Sequence, residues 1–366
     1  MLEHGIPLMT LTGTHREMGR QHGLQIAHLR PQILAVLNSR LEALNRNANR
    51  VVPILKELEL VWMEMTPSTL DMLRGIADTL EIPFVRLLRY AIAPYLEDML
   101  QIESGAEACT VWAASGPATR SGSPILAKNR DCSLDHLPLQ ALAYAEPRDG
   151  YRYLYVTNAG SPAVFSSGIN EQGLTVADTH VPSRDIGPGL PRYTLMMELL
   201  EGCATVDSAL IHLQRVSRMG AGNLILADAQ GKLAVFEVGY RRWGLVRPMG
   251  NTVLATNHFV SLELSDQYHE ARSQADDDES QPRHQAMQAL LNEAWGTLDA
   301  AKAMGLMAQH NGSVAAICRH DLGNGSGTIS NAIFFPADRK LLFCNGSPCQ
   351  EAYTTYSVWD IGGLRR

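Results

Sequence analysis

Cys109-Thr110-Val111-Trp112-Ala113-Ala114 is the stretch on which the reading of this chain turns. It is short and apolar, with the β-branched and aromatic content that strands favour. It follows the small-residue run Ser104-Gly105-Ala106-Glu107-Ala108. Before it the hydrophobic period is that of helices. After it, for roughly a hundred residues, strands and turns dominate.

Upstream, Leu24, Ile26, Leu29, Ile33, Leu34 and Leu37 recur at helical spacing, with Pro31 in a first turn. A second helix runs from Ile54 to Met65. A third follows Thr66-Pro67 and continues through Leu80, and a fourth opens at Pro83 and ends near Leu100. Everything before Cys109 therefore reads as helix. Downstream, Pro124 to Lys128 is a short strand, and Asn129-Arg130-Asp131 follows it. Tyr151 to Val156 alternates as strands do, and Gly168 to Ala177 reads as strand, turn, strand. A hairpin is expected from 223–227 and 233–238 around Asp228-Ala229-Gln230-Gly231. Further strands are expected at 243–247, 252–256, 314–318, 328–335 and 341–344, and helices at 195–200, 206–216, 284–294 and 298–308. Gln267 to Arg283, with Asp276-Asp277-Asp278-Glu279, reads as a polar surface loop, and Gly323 to Gly327 as a flexible one. The pattern predicts an α+β fold of stacked sheets covered by helices.

The 366 residues are 45% hydrophobic and 19% charged, which suits a globular protein with a large core. The net charge of −7 and the dispersed Lys and Arg exclude a phosphate-backbone binder, so no nucleic-acid partner is expected. No apolar run is long enough for a bilayer, and the first residues lack a secretory pattern. No membrane partner and a cytoplasmic location are the expectations. Six cysteines without a C-x-x-C pair do not form a disulfide framework and read mostly as small buried hydrophobes. There is no G-x-S-x-G elbow, P-loop or H-E-x-x-H. His15, His22 and His28 lack metal-ligand spacing, so neither a metal nor a cofactor is expected.

The chemistry centres on Cys109. A thiol titrates near 8.5 and an α-amino group near 7.7–8.0, so an N-terminal cysteine carries its own base. Such a residue needs a group to orient the amine, and Asp131 fits. It also needs donors for an oxyanion, and Asn257 in Thr256-Asn257-His258 fits. A papain-like Cys–His pair is the rival, but no local signature of that class surrounds Cys109.

In these residues the chain resembles the acyl-coenzyme A:isopenicillin N acyltransferase type of N-terminal-nucleophile amide hydrolase. More distantly it is similar to the penicillin V acylase and bile salt hydrolase group. Gly13-Thr14-His15-Arg16-Glu17-Met18-Gly19-Arg20-Gln21-His22-Gly23 looks like the family's entry helix. Cys109-Thr110 matches the nucleophile and its successor. Lys128-Asn129-Arg130-Asp131 matches an Arg-Asn-x-Asp with Asp131 as the amine-orienting carboxylate. Asn170-Glu171-Gln172-Gly173-Leu174, Thr256-Asn257, Cys318-Arg319 and Asn345-Gly346-Ser347-Pro348-Cys349 match further motifs in order.

The resemblance implies a four-layer αββα sandwich of two antiparallel sheets between helical layers. It implies self-cleavage between Ala108 and Cys109, giving a helical fragment 1–108 and a catalytic fragment 109–366 that together make one unit. It further implies an amidohydrolase acting on a linear amide between an acyl group and a small amine or amino acid. The alternatives are an acyltransferase, for example from acyl-CoA to an amine, and a non-catalytic homologue that stays uncut. A homo-oligomer is consistent with the resemblance. Lys128, Asn129, His180, His258 and Arg319 are candidate supporting residues. Lys128 stands where the bile salt hydrolase group has arginine, His180 near where it has an oxyanion-hole asparagine, and Ala108 where glycine is common.

Overall fold

The computed structural model describes residues 2–3, 6–100, 108–267, 280–310, 315–320 and 325–360. Its strands are β1 (Leu2–Glu3), β2 (Ile6–Gly13), β3 (Ala108–Gly116), β4 (Gly122–Ser133), β5 (Gln140–Pro147), β6 (Tyr153–Asn158), β7 (Ser167–Asn170), β8 (Thr175–His180), β9 (Gly222–Ala227), β10 (Leu233–Val238), β11 (Trp243–Val246), β12 (Thr252–Ala255), β13 (Ser326–Phe335), β14 (Lys340–Asn345) and β15 (Tyr353–Ser357). Its α-helices are α1 (His15–Gln25), α2 (Arg30–Arg46), α3 (Ala48–Met65), α4 (Pro67–Leu80), α5 (Phe84–Ala91), α6 (Ala93–Leu100), α7 (Arg192–Gly202), α8 (Val206–Arg215), α9 (Ser280–Glu293) and α10 (Ala300–Met307).

The strands make two sheets, ordered β1-β2-β5-β6-β7-β8-β9-β10-β11 and β12-β3-β4-β13-β14-β15. Neighbours run antiparallel except β2 and β5, which are parallel. Side-chain alternation along each strand then produces the layers. From the larger sheet, Leu142, Leu154, Ile169 and Ile225 meet Val111, Ala113, Leu126 and Phe334 of the smaller one. On the outer face of the smaller sheet, Trp112, Ala114, Ala127 and Ile333 pack on Met287 and Leu291 of α9 and Met307 of α10. On the outer face of the larger sheet, Met9, Ala143, Tyr155 and Leu224 pack against residues of α1 through α8. The result is the expected αββα sandwich.

Local chemistry explains the helical entry. Thr14 caps α1 and Glu17 closes a capping box with it. A Cβ on Gly19 would lie 2.1 Å from the carbonyl oxygen of Met72, so α1 and α4 cross at a distance only glycine permits.

Four expectations need correction. The segment before Cys109 is not all helix: Pro7 to Thr12 alternates, and β2 joins the larger sheet beside β5. Asp131 lies within a strand, because β4 extends to Ser133. Residues 315–318 form no strand, and position 314 lies outside the described residues. The expected loop over 267–283 ends early, since α9 begins at Ser280; positions 268–279 lie outside the described residues, as do 323 and 324 of the expected glycine-rich loop. No helix among the described residues is long and apolar enough to cross a membrane.

Candidate active site

The β3–β4 register sets the site. Ala108 lies opposite Asp131, Cys109 opposite Arg130, and Val111 opposite Lys128. On the other side of β3, β12 pairs Ala255 with Val111, so the chain leaving β12 carries Asn257 past Cys109.

Asn257 is the hub. Its Oδ1 accepts from the Cys109 main-chain N–H at 2.9 Å and from Arg283 Nη2 at 2.9 Å. Its Nδ2 donates to the His180 carbonyl at 2.8 Å. Two donors converging on one atom fix which end of the amide is oxygen. Arg283 Nη1 also donates to the Cys109 carbonyl and, at 3.0 Å, to Thr110 Oγ1. A single guanidinium thus spans the nucleophile's main chain and the amide that holds it.

Asp131 is buried. Its Oδ1 accepts from Thr328 Oγ1 at 2.6 Å, while its Oδ2 is buried with no hydrogen-bond partner among the described residues. Burial raises its carboxyl above the usual range, against the opposing pull of Arg319 and Arg283. The Cys109 thiol is buried too. Burial pushes it up, and Lys128 pulls the other way. In the continuous chain the thiol is therefore held protonated.

Lys128 places its ammonium on three acceptors: the carbonyls of Ser166 at 3.1 Å and Asp178 at 2.7 Å, and Asp178 Oδ1 at 2.7 Å. Those three use its three donors. Burial works against the Asp178 charge, but Lys128 and Arg192 hold its carboxyl below the usual range. His180 turns its ring to Asp98, with Nε2 2.6 Å from Oδ2.

Cys109, Lys128, Asp131, His180, Arg130 and Phe165 line one cleft enclosing about 540 Å³, part of it open to solvent. The Arg130 guanidinium sits 5.5 Å above the Phe165 ring and bonds Asn158 Oδ1 at 2.8 Å. One wall thus combines a cation with an aromatic face.

The remaining candidates do not line this cleft. Asn129 faces the opposite side of β4, donating to the carbonyls of Met307 and Ile317 and accepting from Asn331, so it bolts the sheet to the chain around α10. His258 is hydrogen-bonded to Ser280 Oγ at 2.8 Å and packs edge-on to His284. Burial, with His284 and Arg283 nearby, pushes its pKa down to about 4. Arg319 acts on Asp131 through its charge, and its main chain brackets Thr328. Sequence reasoning missed Arg283. The available signal was its place with Met287 and Leu291 at i, i+4, i+8, a charge on the buried stripe of a helix.

No curated protein matches the sequence. Among solved structures, two variants of conjugated bile acid hydrolase from Clostridium perfringens are 14% and 13% identical, with TM-scores of 0.47 and 0.48. The matches cover 68% of this chain and 96% and 97% of those chains. Penicillin V acylase from Agrobacterium tumefaciens is 14% identical, with a TM-score of 0.41 over 65% of this chain and 83% of that one. Residues 118–350 match a single family. The stretch begins after Cys109 and includes Asp131, Asn257 and Arg319. With more than half of its length matched, the chain belongs to the acyl-coenzyme A:6-aminopenicillanic acid acyl-transferase family.

Proposed function

We propose that this protein is an autoprocessed cysteine amidohydrolase that cleaves a linear amide between an acyl group and a small amine or amino acid. One observation carries the reading: the nitrogen that cleavage would free, that of Cys109, is held by Asn257 beside a buried Asp131 carboxylate with one oxygen unengaged among the described residues.

In maturation, Cys109 Sγ attacks the carbonyl carbon of Ala108. The peptide C–N bond breaks, the nitrogen takes the thiol proton, and a thioester forms. Water hydrolyses the thioester and leaves fragments 1–108 and 109–366. The new α-amine then finds in Asp131 a counter-charge able to orient it. In turnover the amine takes the thiol proton, Sγ bonds the substrate carbonyl carbon, and the leaving amine departs with that proton. Water then releases the acyl group. Asn257 serves first as the orienter of the reacting nitrogen. One Nδ2 hydrogen is committed to the His180 carbonyl, and the second N–H of that amide is the one that would serve an oxyanion.

The family's description favours a second reading, in which an amine replaces water and the acyl group, for example from acyl-CoA, is transferred. Cytoplasmic residence and a homo-oligomer belong to the same proposal and are checked by fractionation and light scattering.

The test is denaturing mass spectrometry of the intact protein, with N-terminal sequencing, beside an amide screen with and without added amines. Two fragments, the second starting at Cys109, and turnover absent from Cys109→Ala are expected. An uncut chain with an unreactive Cys109 thiol makes the protein a non-catalytic homologue and ends the proposal.

A further inference from the structure

Away from the cleft, three stretches of chain converge. Gln309 accepts through its carbonyl from the main-chain N–H groups of Ile317 and Cys318, at 3.0 and 2.8 Å, which draws His310 toward Cys318. Gly346 N bonds the Ile329 carbonyl at 2.8 Å, which brings the turn carrying Cys349 to the same place. The ligand atoms of His310, Cys318, His320 and Cys349 all lie within 4.8 Å of one another. Cys318 Sγ is 3.5 Å from Cys349 Sγ, which is 3.3 Å from His320 Nε2, and the two histidine rings stack at 5.0 Å.

We infer that His310, Cys318, His320 and Cys349 form a closed Cys2His2 site for zinc or a like divalent cation. The geometry decides between this and a thiol pair awaiting oxidation. Tetrahedral zinc at its usual bond lengths sets its ligands about 3.8 Å apart between sulfurs and about 3.6 Å between sulfur and nitrogen. The Cys318–Cys349 and Cys349–His320 separations, 3.5 and 3.3 Å, are each within a few tenths of an ångström of these, and all four ligand atoms lie within 4.8 Å of one another. A disulfide has no use for two imidazoles gathered around it. Loading is redox-neutral: the cation displaces two thiol protons and is held by two thiolates and two neutral imidazoles. Four protein ligands leave no open position, so the site is structural.

The site has a mechanical consequence. Cys318 and His320 flank Arg319, whose main-chain N–H and carbonyl both bond Thr328. Thr328 in turn donates to Asp131. A cation here anchors the strap that holds the buried carboxylate. The inference does not depend on the proposed reaction, and its primary readout is metal content.

The full-length chain, purified with a phosphine reductant and dialysed against zinc-free buffer, is expected to hold about one zinc per chain by plasma emission spectrometry. His320→Ala and Cys349→Ala remove exposed ligands and should keep the wild-type circular dichroism. In each, zinc is expected to fall below roughly a tenth of an equivalent. Cobalt(II) added to the metal-free wild type should develop tetrahedral d–d bands and thiolate charge-transfer bands. Three results overturn the site: no cation bound by the reduced wild type, cobalt bands that persist in the Cys318→Ala/Cys349→Ala pair, or a trapped Cys318–Cys349 disulfide with no metal uptake after reduction.

Discussion

The main-chain nitrogen of Cys109 donates to Oδ1 of Asn257 at 2.9 Å, a bond between residues 148 positions apart. The same amide accepts from Arg283 and donates to the His180 carbonyl, so three bonds hold its orientation. Removing it leaves three buried partners short of a bond, each costing about 1–3 kcal/mol. Asn257→Ala is expected to lower the melting temperature and to slow both cleavage and turnover about a hundredfold or more. Normal cleavage in this variant, followed by mass spectrometry, contradicts the orienting role.

Asp131→Asn keeps an acceptor for Thr328 but removes the charge. Turnover is expected to fall roughly 10²–10⁴-fold with little change in melting temperature. An amine that loses a nearby carboxylate binds its proton less tightly, so the acidic limb of residual activity should move to lower pH. A lost rate with an unmoved pH profile would mean that Asp131 acts only through packing.

Arg283 reaches the Cys109 carbonyl, Thr110 and Asn257 at once. Arg283→Met is expected to cost about 2–4 kcal/mol, since hydrogen bonds from a charged group are the stronger kind. Arg283→Lys should recover part of the stability but little of the cleavage rate, because an ammonium lacks the fork. Urea melts of both variants, with cleavage time courses, check the split.

Lys128→Met takes a partner from buried Asp178 but leaves it Arg192. The expected loss is about 3 kcal/mol, the low end for a broken buried pair. A variant as stable as wild type by urea melting refutes this account of Lys128.

Acid lability should come from histidines buried in the neutral form. His22 is fully buried and accepts the Gly160 N–H at 3.0 Å, and burial pushes its pKa down to about 3. An unfolded histidine titrates near 6.5. Below that, the unfolded chain binds protons that the folded chain refuses, so stability is full above about 6.5 and is lost as pH falls toward 3. His258 acts in the same sense down to about 4. Against burial, Glu201 raises the pKa of His15, which offsets part of the loss. Melting temperatures should fall from pH 6.5 to 4, less steeply in His22→Gln; a flat wild-type profile excludes this source.

The layers were legible because both periods are written plainly: Val111 and Ala113 against Trp112 and Ala114 already state which face each side chain takes. β2 and β5 were not. Gln140-Ala141-Leu142-Ala143-Tyr144-Ala145 is too alanine-rich to announce a strand, and its partners on either side, β2 and β6, supply what propensity withholds. At the site, Cys109, Asp131 and Asn257 could be named from order and residue type. Their bonding could not, because Asn257 is read as a donor to a future oxyanion until the converging Cys109 and Arg283 reveal its oxygen as the working end. Arg283 stayed hidden because its neighbours in sequence are polar and acidic. The cluster of His310, Cys318, His320 and Cys349 stayed hidden because no local spacing links the four positions.

β2 carries a further consequence for a chain cut before Cys109. Ile6–Gly13 is hydrogen-bonded to β5 inside the larger sheet, and Met9 and Leu11 are buried beneath the helices that follow them. A severed first fragment would be no discarded propeptide. It would stay as a permanently seated light chain, because its departure would strip a strand from the sheet and bare the apolar surface beneath. The mature protein would then be a two-chain particle that copurifies without a covalent link, and its heavy chain made alone would lack the partner on which to fold.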